Sequence, residues 1–350
     1  MRITKRVRSL AAVAAVSALA LAACSDGGGP ADDEGADTNG AEETSAEGVE
    51  VTFLPKNLGN PYFDASSEGG ENALEEIGGV FAEVGPSEAT PDAQVSYINT
   101  LTQQGVDAIA VSANDPNAIC DALNEARDAE VKVVTFDSDT DSECRDLFIN
   151  QAEANGIGET LADIIAEQID GEGDVAVLSA SANATNQNTW IEKMEEYVEG
   201  EYPDMNIVEI AYGDDDDQTS FDKTAALLQS HGELKGIVAP TTVGLAAAAR
   251  YLSTSEYKGD VALTGLGTPN QMREYIEDET VVEFALWNPE DLGYLTAYAA
   301  AALASGEING DEGDTFDAGD LGSYTVEEDG VVYLGDPFVY NESNIDDFDF

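Results

Sequence analysis

The chain has 350 residues, with 71 Asp and Glu against 14 Lys and Arg, a formal net charge of −57. Such a surface has no basic patch with which to displace counterions, which excludes nucleic acid as a partner. Self-repulsion on this scale is relieved by salt, as expected of a protein from a high-salt habitat.

The first segment reads as an address. Residues 1–23 carry four of the basic residues (Arg2, Lys5, Arg6, Arg8) ahead of the small-apolar run "SLAAVAAVSALALAAC". A basic head followed by a short apolar stretch predicts an export signal, and the run is cut too early for a spanning anchor. The stretch "LAAC", Leu21 to Cys24, resembles a bacterial lipobox, which implies a diacylglycerol on Cys24 and attachment to the outside of the membrane through that lipid. Residues 24–48 hold no large apolar side chain and are rich in Gly, Asp and Glu, the composition of a disordered tether.

From residue 49 onward, continuous apolar runs ("VEVTFLP", "DAIAVSA", "VKVVTF", "DVAVLSA", "GIVAP", "VALTGLG", "VVEFALW") alternate with amphipathic segments such as "DAQVSYINTLTQQG" and "GIGETLADIIAEQI". Runs that are apolar at every position suit parallel strands covered by helices on both faces. The rhythm predicts a doubly wound α/β architecture. About 300 residues exceed one comfortable core, so two lobes are expected. Cys120 and Cys144 form an even pair outside the cytosol, where a disulfide is expected.

In such sheets ligands gather beyond the carboxyl ends of the strands. The residues that follow the apolar runs are Lys56, Asn60, Tyr62 and Phe63; Asp137; Asn186 and Gln187; Pro240 and Thr242; Asn270; and Trp287 with Asn288. Amides, a carboxylate, a lysine and aromatic rings on one rim match sugar chemistry, in which polar groups span vicinal hydroxyls and flat rings cover C–H faces. Asp137 is the expected ligand carboxylate, while Asp139 and Asp141 read as turn acids. Asn186 and Gln187 precede a helix, so an N-cap is the competing role. Trp190 is expected to pack, and Trp287 either stacks on the ligand or packs at a hinge.

The motifs "LPKNLGNPYFD", "VSANDPNAICDAL", "VVTFDSDTDSECR", "FINQ", "ATNQNTW", "GLGTPNQMREYI" and "FALWNPEDLGYL" occur in this order. Together they resemble the periplasmic sugar-binding (type I, ribose-binding-like) proteins of ABC transporters, and most of all the rhamnose-binding subgroup and its sibling, the autoinducer-2 receptors. The resemblance implies two Rossmann-like lobes joined by three crossing strands, near residues 149–151, 283–287 and 308–312. The first lobe would comprise 49–149 plus 286–309, and the second 150–285 plus 310–350. It also implies a monomer that takes up a monosaccharide by hinge closure and docks on a membrane permease. The autoinducer-2 pattern matches at Lys56, Asp137, Gln187 and Pro240 but departs at Asn186, where it has Asp, and at Thr242, where it has Ala. Those departures point toward an aldohexose of the rhamnose type, with autoinducer-2 or another sugar such as ribose as the alternative.

Catalysis is not expected. The single histidine, His231, sits at a predicted helix end, and there is neither a Gly-x-Ser-x-Gly elbow nor zinc-ligand spacing. A glycosidase would need two carboxyls where Asp137 and Asn186 offer one. A regulator of this fold would carry a DNA-binding module in place of the signal and tether. The acidic run Asp214 to Asp217 lacks the glycine and glutamate of a calcium loop and reads as an acidic lead into a helix. No cofactor or metal is expected.

Overall fold

The structure, a computed structural model, describes residues 46–350. The expected signal, the Cys24 lipidation and nearly all of the tether lie outside the described residues. Among the described residues, no helix is long and apolar enough to cross a membrane.

The first half alternates as its apolar runs predict. β1 (Glu50–Leu54), α1 (Pro61–Ile77), β2 (Val80–Glu83), α2 (Pro91–Gln104) and β3 (Ala108–Val111) come first. α3 (Cys120–Asp128), β4 (Lys132–Phe136) and β5 (Leu147–Asn150) follow. β1 and β3 are buried at almost every position, because helices cover both faces of their sheet. α1 shows the local logic: Asn60 caps it by accepting from Tyr62 N at 3.1 Å, and Pro61 occupies the first turn. It stops at Gly78, whose φ of 76° is the left-handed turn that glycine adopts without strain.

The second half repeats the scheme through α4 (Ala154–Gln168), β6 (Glu172–Ser179), α5 (Thr185–Glu201), β7 (Asp204–Tyr212) and α6 (Asp217–Ser230). It continues with β8 (Gly236–Ala239), α7 (Thr242–Ser253), β9 (Ala262–Gly265), α8 (Pro269–Glu277) and β10 (Glu283–Leu286). The chain then returns through α9 (Pro289–Ser305), β11 (Thr315–Asp317), β12 (Ser323–Thr325), β13 (Val331–Tyr333) and β14 (Phe338–Asn341).

Two parallel sheets result, one per lobe. The first has the order β13-β5-β4-β3-β1-β2 and the second β7-β6-β8-β9. β10 pairs with β14 antiparallel and reaches the second sheet through a bridge between Leu266 and Ala285. α9 lies on the first lobe against α1, β3 and β4. The α1–α9 crossing is so close that a Cβ at Gly69 would overlap the Glu290 carbonyl, and one at Gly293 would overlap that of Ser66.

The tail departs from the expected course. Residues 310–350 do not all join the second lobe, because β13 pairs in parallel with β5 at the edge of the first sheet. Arg145 helps to hold it there, donating to the Asp329 carbonyl at 2.8 Å just before β13. The third crossing therefore falls between β13 and β14, at residues 334–337, and not at 308–312. Cys120 and Cys144 stand with their Cα atoms 5.3 Å apart, a separation that a disulfide spans.

Candidate functional site

The carboxyl ends of the two sheets face one cavity with about 380 Å³ of atom-free space, part of it open to solvent. The first lobe contributes Lys56, Asn60, Tyr62, Phe63 and Asp137. The second contributes Asn186, Gln187, Trp190, Asp215, Pro240, Thr241, Thr242 and Leu266, while the end of β10 adds Leu286 and the crossing after it Trp287. Ten of the twelve residues expected at the ligand site thus meet here, although their positions span 231 residues of sequence.

Asp137 is placed by a tight turn. Its φ of 59° is left-handed, a region Asp tolerates better than most residues, and Ser138 N donates to Phe136 O at 2.6 Å across it. The carboxylate accepts from Ser112 Oγ at 2.7 Å and stands 3.3 Å from Lys56 Nζ. Lys56 is 6% exposed and Asp137 5%, so the pair is nearly sealed from water and each charge depends on the other. Across the cleft, Asn186 Nδ2 donates to the Asp137 carbonyl at 3.3 Å, joining the lobes.

The Lys56 loop is set by a side chain that sequence patterning gave no reason to choose. Gln94, fully buried in α2, donates to Pro55 O at 3.2 Å and Ser112 O at 2.7 Å, and its Oε1 accepts from Asn114 N at 2.9 Å. Asn114 in turn donates to the Lys56 carbonyl at 3.0 Å. One amide therefore locks the ends of β1 and β3, and with them Lys56 and Ser112. In a helical stretch such a glutamine looks like any surface residue.

Aromatic rings form another part of the lining. Tyr62 meets Phe63 edge-on at 5.1 Å and Trp287 at 6.1 Å, and Trp190 meets Trp287 at 5.7 Å. Trp287 Nε1 donates to Tyr62 Oη at 2.8 Å. Burial, followed by the charge on Asp137, pushes the Tyr62 hydroxyl well above its usual pKa, so it remains a neutral donor. Both Tyr62 and Phe63 face the cavity, and Trp190 both packs and lines it.

Gln187 has its orientation fixed by β6: its Oε1 accepts from Ser179 Oγ and Ala180 N, each at 2.8 Å, leaving the amide NH₂ for the cavity. Neither it nor Asn186 caps α5, whose N-cap is Ala184.

Two expectations fail. Asn270 lies one residue inside α8 and turns outward, where its side chain donates to Asp349 at 3.2 Å and accepts from Arg273 at 2.9 Å. Asn288 caps α9 by accepting from Glu290 N at 2.9 Å and is not among the cavity-lining residues. Asp139 and Asp141 are turn acids as expected. Asp139 takes a two-pronged ion pair from Arg145, with distances of 2.7 and 2.9 Å, and Asp141 accepts from Glu143 N at 3.1 Å.

Within the run 214–217, Asp216 caps α6 by accepting from Thr219 N at 2.7 Å, and those helix-end bonds lower its pKa. Asp215, in the same acidic run, reaches the cavity instead. No group of three or more His, Cys, Asp or Glu among the described residues is arranged to hold a metal ion. His231 ends α6 with Nε2 2.8 Å from Glu209 and is not among the cavity-lining residues.

A periplasmic binding protein domain model matches residues 51–308. A solved sugar ABC transporter structure from Actinomyces odontolyticus is 52% identical, covering 88% of this chain and 99% of that one with a TM-score of 0.72. An ABC transporter solute-binding protein from Clostridium phytofermentas, solved with bound L-rhamnose, is 39% identical over 86% of this chain and 98% of its own, with a TM-score of 0.83. LsrB from Clostridium saccharobutylicum, in complex with AI-2, is 27% identical over 86% of this chain and all (100%) of its own, with a TM-score of 0.81. The ribose import binding protein of Salmonella typhimurium is 22% identical over 259 residues, which is 73% of this chain and 85% of that protein. With two Rossmann-like lobes facing one polar and aromatic cleft, and a family match over most of its length, the chain belongs to the periplasmic binding protein family, as a solute-binding protein of the sugar ABC transporter kind and not an enzyme.

Proposed function

We propose that the protein captures a neutral monosaccharide of the rhamnose type in the interlobe cleft and delivers it to the permease of an ABC importer. In this reading it is a monomer tethered outside the membrane by a lipid on Cys24 and braced by a Cys120–Cys144 disulfide. The observation that carries it is the convergence of Lys56, Asp137, Gln187 and Trp287 on one cavity between two sheets. Hydroxyls can both donate and accept there, and rings are present to cover the apolar face of a pyranose.

Capture proceeds by hinge motion about the crossings near 150, 286 and 335. Solute bridging both lobes adds contacts that only the closed form can make, which shifts the population toward closure. A micromolar affinity corresponds to about −8 kcal/mol, within reach of a few satisfied hydrogen bonds and ring contacts.

The rhamnose preference is supported by the greater identity to the rhamnose-bound protein (39%) than to the AI-2-bound one (27%). Asn186 and Thr242 support it too, since they stand where the autoinducer-2 pattern has Asp and Ala. Autoinducer-2 is the second reading, favoured by Lys56, Asp137, Gln187 and Pro240. A thermal-shift panel with L-rhamnose, D-ribose, other deoxy sugars and autoinducer-2 tests both, because only a bound ligand raises the melting temperature. Stabilisation by L-rhamnose above all others is expected. A shift with autoinducer-2 alone would select the second reading, and no shift with any sugar would defeat both.

A further inference from the structure

We propose that Asp215 is the second lobe's acceptor for the solute's hydroxyl groups, and that it selects neutral polyols against acidic sugars. This rests on the sugar-cleft reading above.

In the second lobe the amide acceptor is already taken, and in the first lobe one carboxylate oxygen is. Asp137 Oδ2 already receives Ser112 Oγ at 2.7 Å and faces Lys56 Nζ at 3.3 Å, while its Oδ1 meets Asn186 Nδ2 at 3.5 Å. Gln187 Oε1 is used twice by β6, so Asp137 Oδ1 is the one other acceptor with room, and it belongs to the first lobe. What the cavity offers freely is donors: the Gln187 amide, the Asn60 amide and the lysine. A hydroxyl that accepts from one of these must still donate its own hydrogen, and a closed cleft without an acceptor would leave it unpaired.

Asp215 fills that need. It sits on the β7–α6 loop with φ 48°, following Asp214 at φ 55°, so two successive left-handed residues turn its side chain back toward the cavity. Thr241 Oγ1 donates to its Oδ1 at 2.6 Å, which anchors the carboxylate, while Oδ2 accepts no hydrogen bond from the described residues. The remaining acids of the run are engaged elsewhere or exposed: Asp216 caps α6, Asp217 pairs with Arg250, and Asp214 faces solvent.

The charge balance follows. Lys56 is one cation against two carboxylates, Asp137 and Asp215, so the empty cleft is net negative and a ligand carboxylate or phosphate would meet repulsion.

The test is calorimetric titration of wild type, Asp215→Asn and Asp215→Ala with L-rhamnose and with a hexuronate such as D-galacturonate. The wild type should prefer the neutral sugar. Both variants should bind L-rhamnose about 10- to 100-fold more weakly, and the preference over the uronate should narrow. Affinities within about twofold of wild type, or an unchanged neutral-to-acidic ratio, overturn the proposal. A wild type that binds no neutral sugar instead overturns the cleft reading on which it stands. Melting curves without ligand report whether the variants fold. If neither does, Thr241→Val, which frees the carboxylate without removing it, should lose several-fold in affinity, and wild-type affinity there overturns the proposal.

Discussion

Removing Asp137 tests whether the cleft's central ion pair is part of the fold as well as of the proposed binding site. In Asp137→Ala, Lys56 loses its partner at 3.3 Å while its side chain remains 7% exposed, and Ser112 Oγ loses the acceptor at 2.7 Å. Breaking a buried pair from one side costs about 3–5 kcal/mol, because a desolvated charge is left behind. Two features pull the figure down. Asp215 also faces Lys56, and both members of the pair belong to the first lobe, so the proposed hinge opening would let water reach them without separating them. The expected loss in ligand-free protein is therefore about 2 kcal/mol. Urea unfolding followed by tryptophan fluorescence suits the measurement, since both tryptophans of the chain, Trp190 and Trp287, line the cavity. Lys56→Met on the Asp137→Ala background should recover about half of the loss, giving a coupling free energy of at least ~1 kcal/mol. Strict additivity, or a single variant within about 0.5 kcal/mol of wild type, would refute the view that the two charges hold each other in the cleft. Solute binding should be lost in both variants.

The remaining predictions concern what surrounds the pair. Gln94→Leu should destabilise the protein by about 1–3 kcal/mol and weaken solute binding although residue 94 is not among the cavity-lining residues, because Pro55 O, Ser112 O and Asn114 N lose their partners. Unchanged melting and unchanged affinity would count against its positioning role. The crosslink proposed between Cys120 and Cys144, 24 residues apart, should contribute about 3 kcal/mol in the chain-entropy description. Urea unfolding of the double Ser variant measures this, and labelling of two thiols in unreduced, unfolded protein would disprove the bond. With a formal charge of −57, the melting temperature should climb from dilute buffer to molar salt as screening relieves self-repulsion. Equal melting in both would show that the acids lie too far apart to matter.

The alternation of strands and helices was legible because each element satisfies its backbone locally and marks itself by period, cap and stop. Asn60, Pro61 and Gly78 bracket α1 as plainly in the sequence as in the fold. Lys56, Asp137 and Gln187 were legible for a related reason: in a doubly wound sheet, residues just past the strands share one rim. Asn270 and Asn288 satisfied that same positional rule and still turned away. Whether a side chain beside a helix start points inward depends on one residue of helical phase, and on a partner such as Asp349 or Glu290 N.

By itself, then, the amino-acid order determined the α/β class, the two lobes, the acidic surface and most of the cleft's chemistry, since these follow from short-range periodicity and from where apolar runs end. Tertiary structure alone decided that β13 joins the first sheet, that Gln94 holds the Lys56 loop and that Asp215 leaves its acidic run to face Lys56. Each of those depends on contacts between residues far apart in the chain, and such contacts are set by how packed elements satisfy one another's polar groups, a constraint that no local pattern encodes.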